Sequence, residues 1–257
     1  MKNVKKWSVA AVAALFLLTS CLGDTASNSG SNSAIAVVRY DLKSGKLLLD
    51  TNSGTLYAPE VETMGFADGD CITIAFSYDF GSPENVNAEK NGYLFVSLSA
   101  TQAIDKGSVS FVAGDTTALL SAEFALSKAV LSTAPSYFAY LNDNLFLVSS
   151  YKGLSGQKNR WTLFADASQT PVKENGNNAY TLFLRVAKVD DGKTPEGAQT
   201  EINAYNVGDF IRRISQKEQA EGNKGYSLKI FYINEIKEDG TFTWAFNVIE
   251  AAVPQEE

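Results

Sequence analysis

Histidine is absent from the 257-residue chain. That rules out Ser-His-Asp and Cys-His catalytic centres and the zinc and haem sites that need an imidazole. It also removes the side chain that most often moves protons near neutral pH. Cysteine is scarce, with only Cys21 and Cys71. No apolar run reaches the ~20 residues that a membrane-spanning helix needs. The glycine-rich dinucleotide and phosphate loops and the GxSxG nucleophile elbow are missing as well. What remains is 45% apolar and 11% aromatic, enough for one or two packed domains and too much for a mainly disordered chain.

The N-terminus reads as an address. Lys2, Lys5 and Lys6 precede an apolar stretch over residues 8–18, too short to span a bilayer and of the length of a secretory signal. Leu18-Thr19-Ser20-Cys21 follows and resembles the lipobox of bacterial lipoproteins. The resemblance implies cleavage between Ser20 and Cys21, acyl chains on the Cys21 thiol and amine, and a membrane partner reached through that anchor. Several chains, at about 0.8 kcal/mol per buried methylene, hold far more firmly than one. An outer-membrane location is expected, with the face left open because only Asp24 stands where some lipoproteins carry a string of acids.

Loss of residues 1–20 takes three lysines and no acid, moving the net charge from −7 to −10. Such a surface repels phosphate backbones, so nucleic acid is excluded as a partner. With Cys21 carrying lipid, Cys71 has no disulfide partner, and its place in the run Cys71-Ile72-Thr73-Ile74-Ala75-Phe76 marks it as a buried thiol.

Residues 21–33 are rich in Ser, Asn and Gly and read as a flexible tether. Short strands begin at Ala34. Between Cys71 and Tyr78 the alternation is clean, with Ile72, Ile74, Phe76 and Tyr78 on one face. Four or five strands in about 65 residues fit a small closed barrel, since closure removes edges. After about residue 104 some seven further strands, with a tight-turn signal at Asp239-Gly240, suggest an antiparallel sandwich. The expected fold is therefore all-β, with an OB-like barrel over 34–103, a β-sandwich over 104–257 and at most short helices. Thr116–Leu131 keeps neither period, and its alanines permit a helix. Gly208–Gln219 places Phe210, Ile211 and Ile214 on one helical face, with Asp209 as a candidate N-cap.

Three stretches are similar to the NigD-like lipoproteins: residues 54–59 followed by Phe66-Ala67-Asp68-Gly69-Asp70; Tyr140-Leu141-Asn142; and Leu182-Phe183-Leu184-Arg185. Val186 stands where that family's second domain often carries histidine. The resemblance implies the same order of tether, OB-like module and sandwich, and no established activity.

Catalytic constellations are not found. Asp68-Gly69-Asp70 reads as turn chemistry, not as a carboxylate pair. Asp190-Asp191-Gly192 lacks the ligand pattern of a calcium loop, and Ser127-Lys128 and Ser155…Lys158 have no recognisable frame. The chain is expected to be non-enzymatic, without cofactor or metal, and to bind or build in the cell envelope with a protein or glycan ligand. Tyr57, Tyr78, Phe80, Trp161 and Trp244 are the candidate ligand-facing aromatics for a surface glycan-binding role. A fimbrial-type subunit that completes a neighbour's sheet is the structural alternative. Thr25 and Thr116, in Asp-Thr-Ala and Asp-Thr-Thr triplets, resemble bacterial O-glycosylation sites.

Overall fold

The computed structural model describes residues 28–131, 140–174 and 176–253. Ser20, Cys21 and Thr25 lie outside them. The chain forms two compact units, one ending at Asp105 and the other beginning at Lys106.

The first unit is a closed five-stranded barrel in the order β1-β2-β3-β5-β4. Its strands are β1 (Ser29–Asp41), β2 (Lys46–Thr51), β3 (Gly54–Tyr57), β4 (Cys71–Asp79) and β5 (Leu94–Ala103). A single helical turn, α1 (Ala88–Asn91), precedes β5. Closure depends on the length of β1, whose first half pairs with β4 and whose second half pairs with β2. The alternating face of β4 turns inward as expected. Ile72, Ile74 and Phe76 meet Val38, Leu49, Leu56 and Val96 in the barrel core, each such burial stabilising the fold by about 1.5–3 kcal/mol.

β1 corrects the expected tether. It begins at Ser29, and Ser29–Ser33 pair residue by residue with Asp79–Ala75. Backbone ladders need no apolar side chains, so a Ser/Asn-rich stretch that looks like linker can serve as strand when its partner waits beside it.

The second unit packs two sheets around one core. The smaller sheet runs β6 (Asp105–Lys106), β14 (Lys193–Asn206), β10 (Asn144–Ser155) and β8 (Lys128–Leu131), with β9 (Tyr140–Leu141) on β10. The larger runs β16 (Phe242–Ala252), β15 (Gly225–Ile236), β13 (Asn177–Asp190), β11 (Lys158–Phe164) and β7 (Ser108–Ser110), with β12 (Val172–Glu174) on β13. The all-β fold is as expected. Two neighbouring pairs in the larger sheet, β7 with β11 and β13 with β15, run parallel and not antiparallel.

The Gly208 helix is found as α2 (Gly208–Ala220), burying Phe210, Ile214 and Glu218 at successive turns. Asp209 is not its cap. Val207 occupies that position, and Asp209 binds Arg212 at 2.7 Å.

Thr116–Leu131 forms no helix. Carbonyls in it and just before it are taken from outside: Arg185 donates to those of Asp115 and Ala118, and Lys188 N–H donates to that of Ala122. The Glu123 carboxylate pairs with the same guanidinium, both side chains being 1% exposed. The segment then ends in β8.

Candidate functional site

Ser31, Ser77 and Ser97 stand opposite one another on β1, β4 and β5. Together with Ser29, Gly30, Tyr78, Asp79, Ser82, Glu84, Phe95 and Val96 they line a cavity of about 470 Å³, within the range of small-molecule sites. The serine row follows from strand pairing. A bulge at Ser99, whose hydroxyl donates to Ala75 C=O at 3.1 Å, shifts the register so that Ser97 meets Ser77.

The floor is apolar. Val96 is buried, and the Tyr78 ring leans over Gly30, where a Cβ would lie 2.7 Å from the tyrosine hydroxyl. A larger residue at position 30 would fit only if that ring moved. Phe80 stands beside Tyr78 with ring centroids 5.1 Å apart and is 58% exposed. Phe95 continues the aromatic surface towards Tyr57, 6.1 Å away.

Asn85 holds the rim. Its amide donates to the carbonyls of Asp79 (2.8 Å) and Phe95 (3.0 Å), and its oxygen accepts Phe95 N–H at 2.7 Å. One buried side chain thus ties the end of β4 to the start of β5 and fixes the loop that carries Ser82 and Glu84. Nothing in sequence periodicity marks it. The only sign was an asparagine shortly after Ser82-Pro83 in a loop between two strands.

The candidate aromatics part company here. Tyr78 is among the lining residues, Phe80 is its ring neighbour outside the lining, and Tyr57 lies beside Phe95. Tyr57 belongs to a neighbouring cluster in which the Lys46 ammonium sits 4.1 Å from its ring centroid and donates to Tyr93 Oη at 2.6 Å. That bond raises the Lys46 pKa, while burial and then Glu62 raise that of Tyr57.

Trp161 corrects the expectation. It is 4% exposed, inside the second unit's core, with its indole N–H on Glu201 at 2.7 Å. A tryptophan whose N–H finds a buried carboxylate is a packing element, and no ligand reaches it. Trp244 is half-buried on the outer face of the larger sheet, edge-on to Phe183 and under Arg185. It lies in the unit that does not carry the cavity.

The other singled-out residues serve local structure. Asp68 accepts Tyr40 N–H and Asp70 accepts Ala67 N–H, as turn carboxylates do. Asp191 pairs with Lys188. Ser127 donates to Ser150 C=O. Cys71 is a buried free thiol. Thr116 is half-buried beside Asp115, whose carboxyl is lowered by its bonds to Thr117. Among the described residues no three Cys, Asp or Glu side chains gather in a way that would hold a metal ion, and no helix is long and apolar enough to cross a membrane.

Comparison with known proteins agrees with this architecture. Residues 26–102, which span the barrel, match the lipoprotein OB domain family. An uncharacterised protein from Parabacteroides merdae is similar over 87% of this chain and 99% of its own, at 25% identity and a TM-score of 0.74. A protein from Bacteroides fragilis described as a candidate lipoprotein shares the fold over 89% of this chain and 100% of its own, at 12% identity and a TM-score of 0.60. A NigD-like immunity protein from Bacteroides caccae aligns over 87% of this chain and 97% of its own, at 11% identity and a TM-score of 0.47. No curated protein matches the chain.

Proposed function

We propose that this chain is a non-catalytic lipoprotein, tethered to the outer membrane through acylated Cys21, whose OB domain binds a glycan in the cavity between β1, β4 and β5. The lipobox and the lipoprotein OB match support the anchor. The cavity's composition supports the ligand. Sugars present an apolar C–H face and a rim of hydroxyls, and this cavity offers the Phe95 ring beside serine hydroxyls and carboxylate acceptors. The observation that carries the reading is the Ser31–Ser77–Ser97 row with Asp79 and Phe95 on the same face, all lining one cavity.

The anchor is tested by Cys21→Ser, which should move the protein from the membrane fraction to the soluble one. Continued sedimentation with membranes would contradict it. The soluble Cys21→Ser protein then serves for calorimetric titration against neutral oligosaccharides. Saturable binding that falls by about tenfold or more in Ser77→Tyr, which fills the cavity, is the expected result. Ser77 is exposed, so the variant should keep its melting temperature. Absence of binding across a broad neutral glycan set would overturn the ligand assignment.

A further inference from the structure

A sheet edge carries unpaired backbone N–H and C=O groups that recruit other strands unless the fold blunts it. The barrel has no such edge, because it is closed. In the second unit most edges are blunted by brevity. β6 and β9 have two residues, β7 and β12 three, and β8 four. β16 differs. It has 11 residues, pairs with β15 on one side and meets no strand on the other among the described residues. Its register with β15 is unbroken from Trp244 to Ala252, and the inward-facing Asn247 amide donates to Ala129 C=O of β8, which fixes the middle of the strand. The usual defences of an edge are missing, since Phe242–Ile249 contains neither proline nor a charged residue. Two large apolar side chains stand open on it, Phe246 at 48% and Val248 at 43% exposure. Phe183, Phe231 and Phe246 form a row across β13, β15 and β16, with successive centroids 5.4 and 5.3 Å apart, and the row stops at this edge.

We propose that β16 is an interface at which two copies of this chain join edge to edge, antiparallel about a two-fold axis near Asn247, as a closed dimer. A second copy fits because the edge is complementary to itself. Centring the pair on Asn247 sets Phe246 opposite Val248 of the second copy, and Val248 opposite its Phe246. The exposed apolar groups then cover one another, and the row of rings continues across the seam. Nearby charge does not oppose it. Lys229 pairs with Glu174 at 2.7 Å, and Glu250 accepts the Ser227 hydroxyl. The two Glu250 side chains stand roughly 20 Å apart in this pairing, beyond the ~8 Å screening length of physiological salt. Assembly stops at two, because β16 is then used up and the described residues offer no other long edge. A seam one strand wide buries less than the ~1,200 Å² of standard interfaces, so the dimer depends on concentration, with a Kd on the order of 10 μM. It uses none of the residues that line the barrel cavity.

The test is sedimentation of the soluble Cys21→Ser protein from about 1 to about 300 μM. The expected result is a shift from monomer to dimer with no larger species. Phe246→Lys/Val248→Lys, which puts charge on the edge, should stay monomeric throughout, a loss of at least about thirtyfold in affinity. Val172→Lys/Val189→Lys, at more exposed apolar positions on β12 and β13, should dimerise like the parent protein. Amide hydrogen exchange gives a second readout that needs no substitution in the edge. Alternate amides between Trp244 and Ala252 should exchange roughly fivefold more slowly at the high concentration than at about 5 μM. A monomer at every concentration would overturn the proposal and leave the edge to a strand of a different protein. A dimer that survives the two lysines, a dimer whose β16 amides gain no protection, or assembly that continues past two would each overturn it as well.

Discussion

The two units treat polar groups in opposite ways. In the second unit the buried charges are enclosed and answered, while Ser149 Oγ, Asn203 Nδ2 and Tyr205 Oη are buried without a partner among the described residues. Arg185 and Glu123 pair inside the segment that crosses β13, and Glu218 is buried beneath Tyr180, Asn178 and Asn223. Glu201 accepts from Tyr151, Asn159 and Trp161. Each network joins elements far apart in sequence, and each is used up in doing so. The barrel instead leaves a serine row and two carboxylates open around a cavity. Groups already paired inside a fold have little left for a ligand, so the search for a ligand site belongs in the first unit, even though the second contains more conspicuous chemistry.

This contrast can be broken most forcefully at the buried ion pair. Arg185→Met strands Glu123 without a counter-charge and should cost about 3–5 kcal/mol, read as a large fall in the urea midpoint. The double change Arg185→Met/Glu123→Gln should recover part of that loss. If the single variant is as stable as the wild type, the pair does not hold the crossing segment.

Glu218 comes next. Burial alone would raise its carboxyl, but Tyr180, Asn178 and Asn223 outweigh burial and hold it below its ordinary value. A depressed folded pKa contributes stability above the ordinary carboxylate range, and that stability is lost as pH falls through the folded value. The wild type should therefore lose stability below about pH 4. Glu218→Gln, less stable at pH 7 by about 1–3 kcal/mol, should show a flatter acid limb. Parallel acid limbs would count against the network.

Asn85→Ala sharpens the comparison from the other side. It strips two carbonyls and one N–H of their partner and should cost about 1–2 kcal/mol, but its effect on sugar affinity should exceed that of any substitution in the second unit. Smallest in stability is Tyr57→Phe, which removes the 3.3 Å bond to Glu62 and should change the melting temperature by under about 2 °C.

The elements that were legible in the sequence are those in which side-chain pattern and burial coincide. β4 alternates because one face meets the barrel core, and α2 shows its stripe at Phe210, Ile211 and Ile214 because that face meets the sandwich. β14 was missed. Its sequence KTPEGAQTEINAYN contains Pro, Gly and many polar residues, and its inward side chains include Glu201, whose partners Tyr151, Asn159 and Trp161 lie on β10 and β11. Ser29–Ser33 was missed because backbone pairing to β4 leaves no trace in hydropathy. The cavity was half legible. Tyr78 stood out as an aromatic near a turn, but the serine row needs the bulge at Ser99, and Asn85 acts only through groups brought to it by the fold. Trp161 misled for the converse reason, since a strand tryptophan looks the same in sequence whether it faces solvent or a buried glutamate.

The most direct test of the account is amide and methyl NMR of the soluble protein titrated with neutral oligosaccharides. The account predicts progressive shifts confined to Ser29, Ser31, Ser77, Asp79, Ser82, Glu84, Phe95 and Ser97, with the outer face around Trp244 and Phe246 silent. Shifts centred on Trp244 and Phe246, with the barrel cavity unchanged, would contradict it.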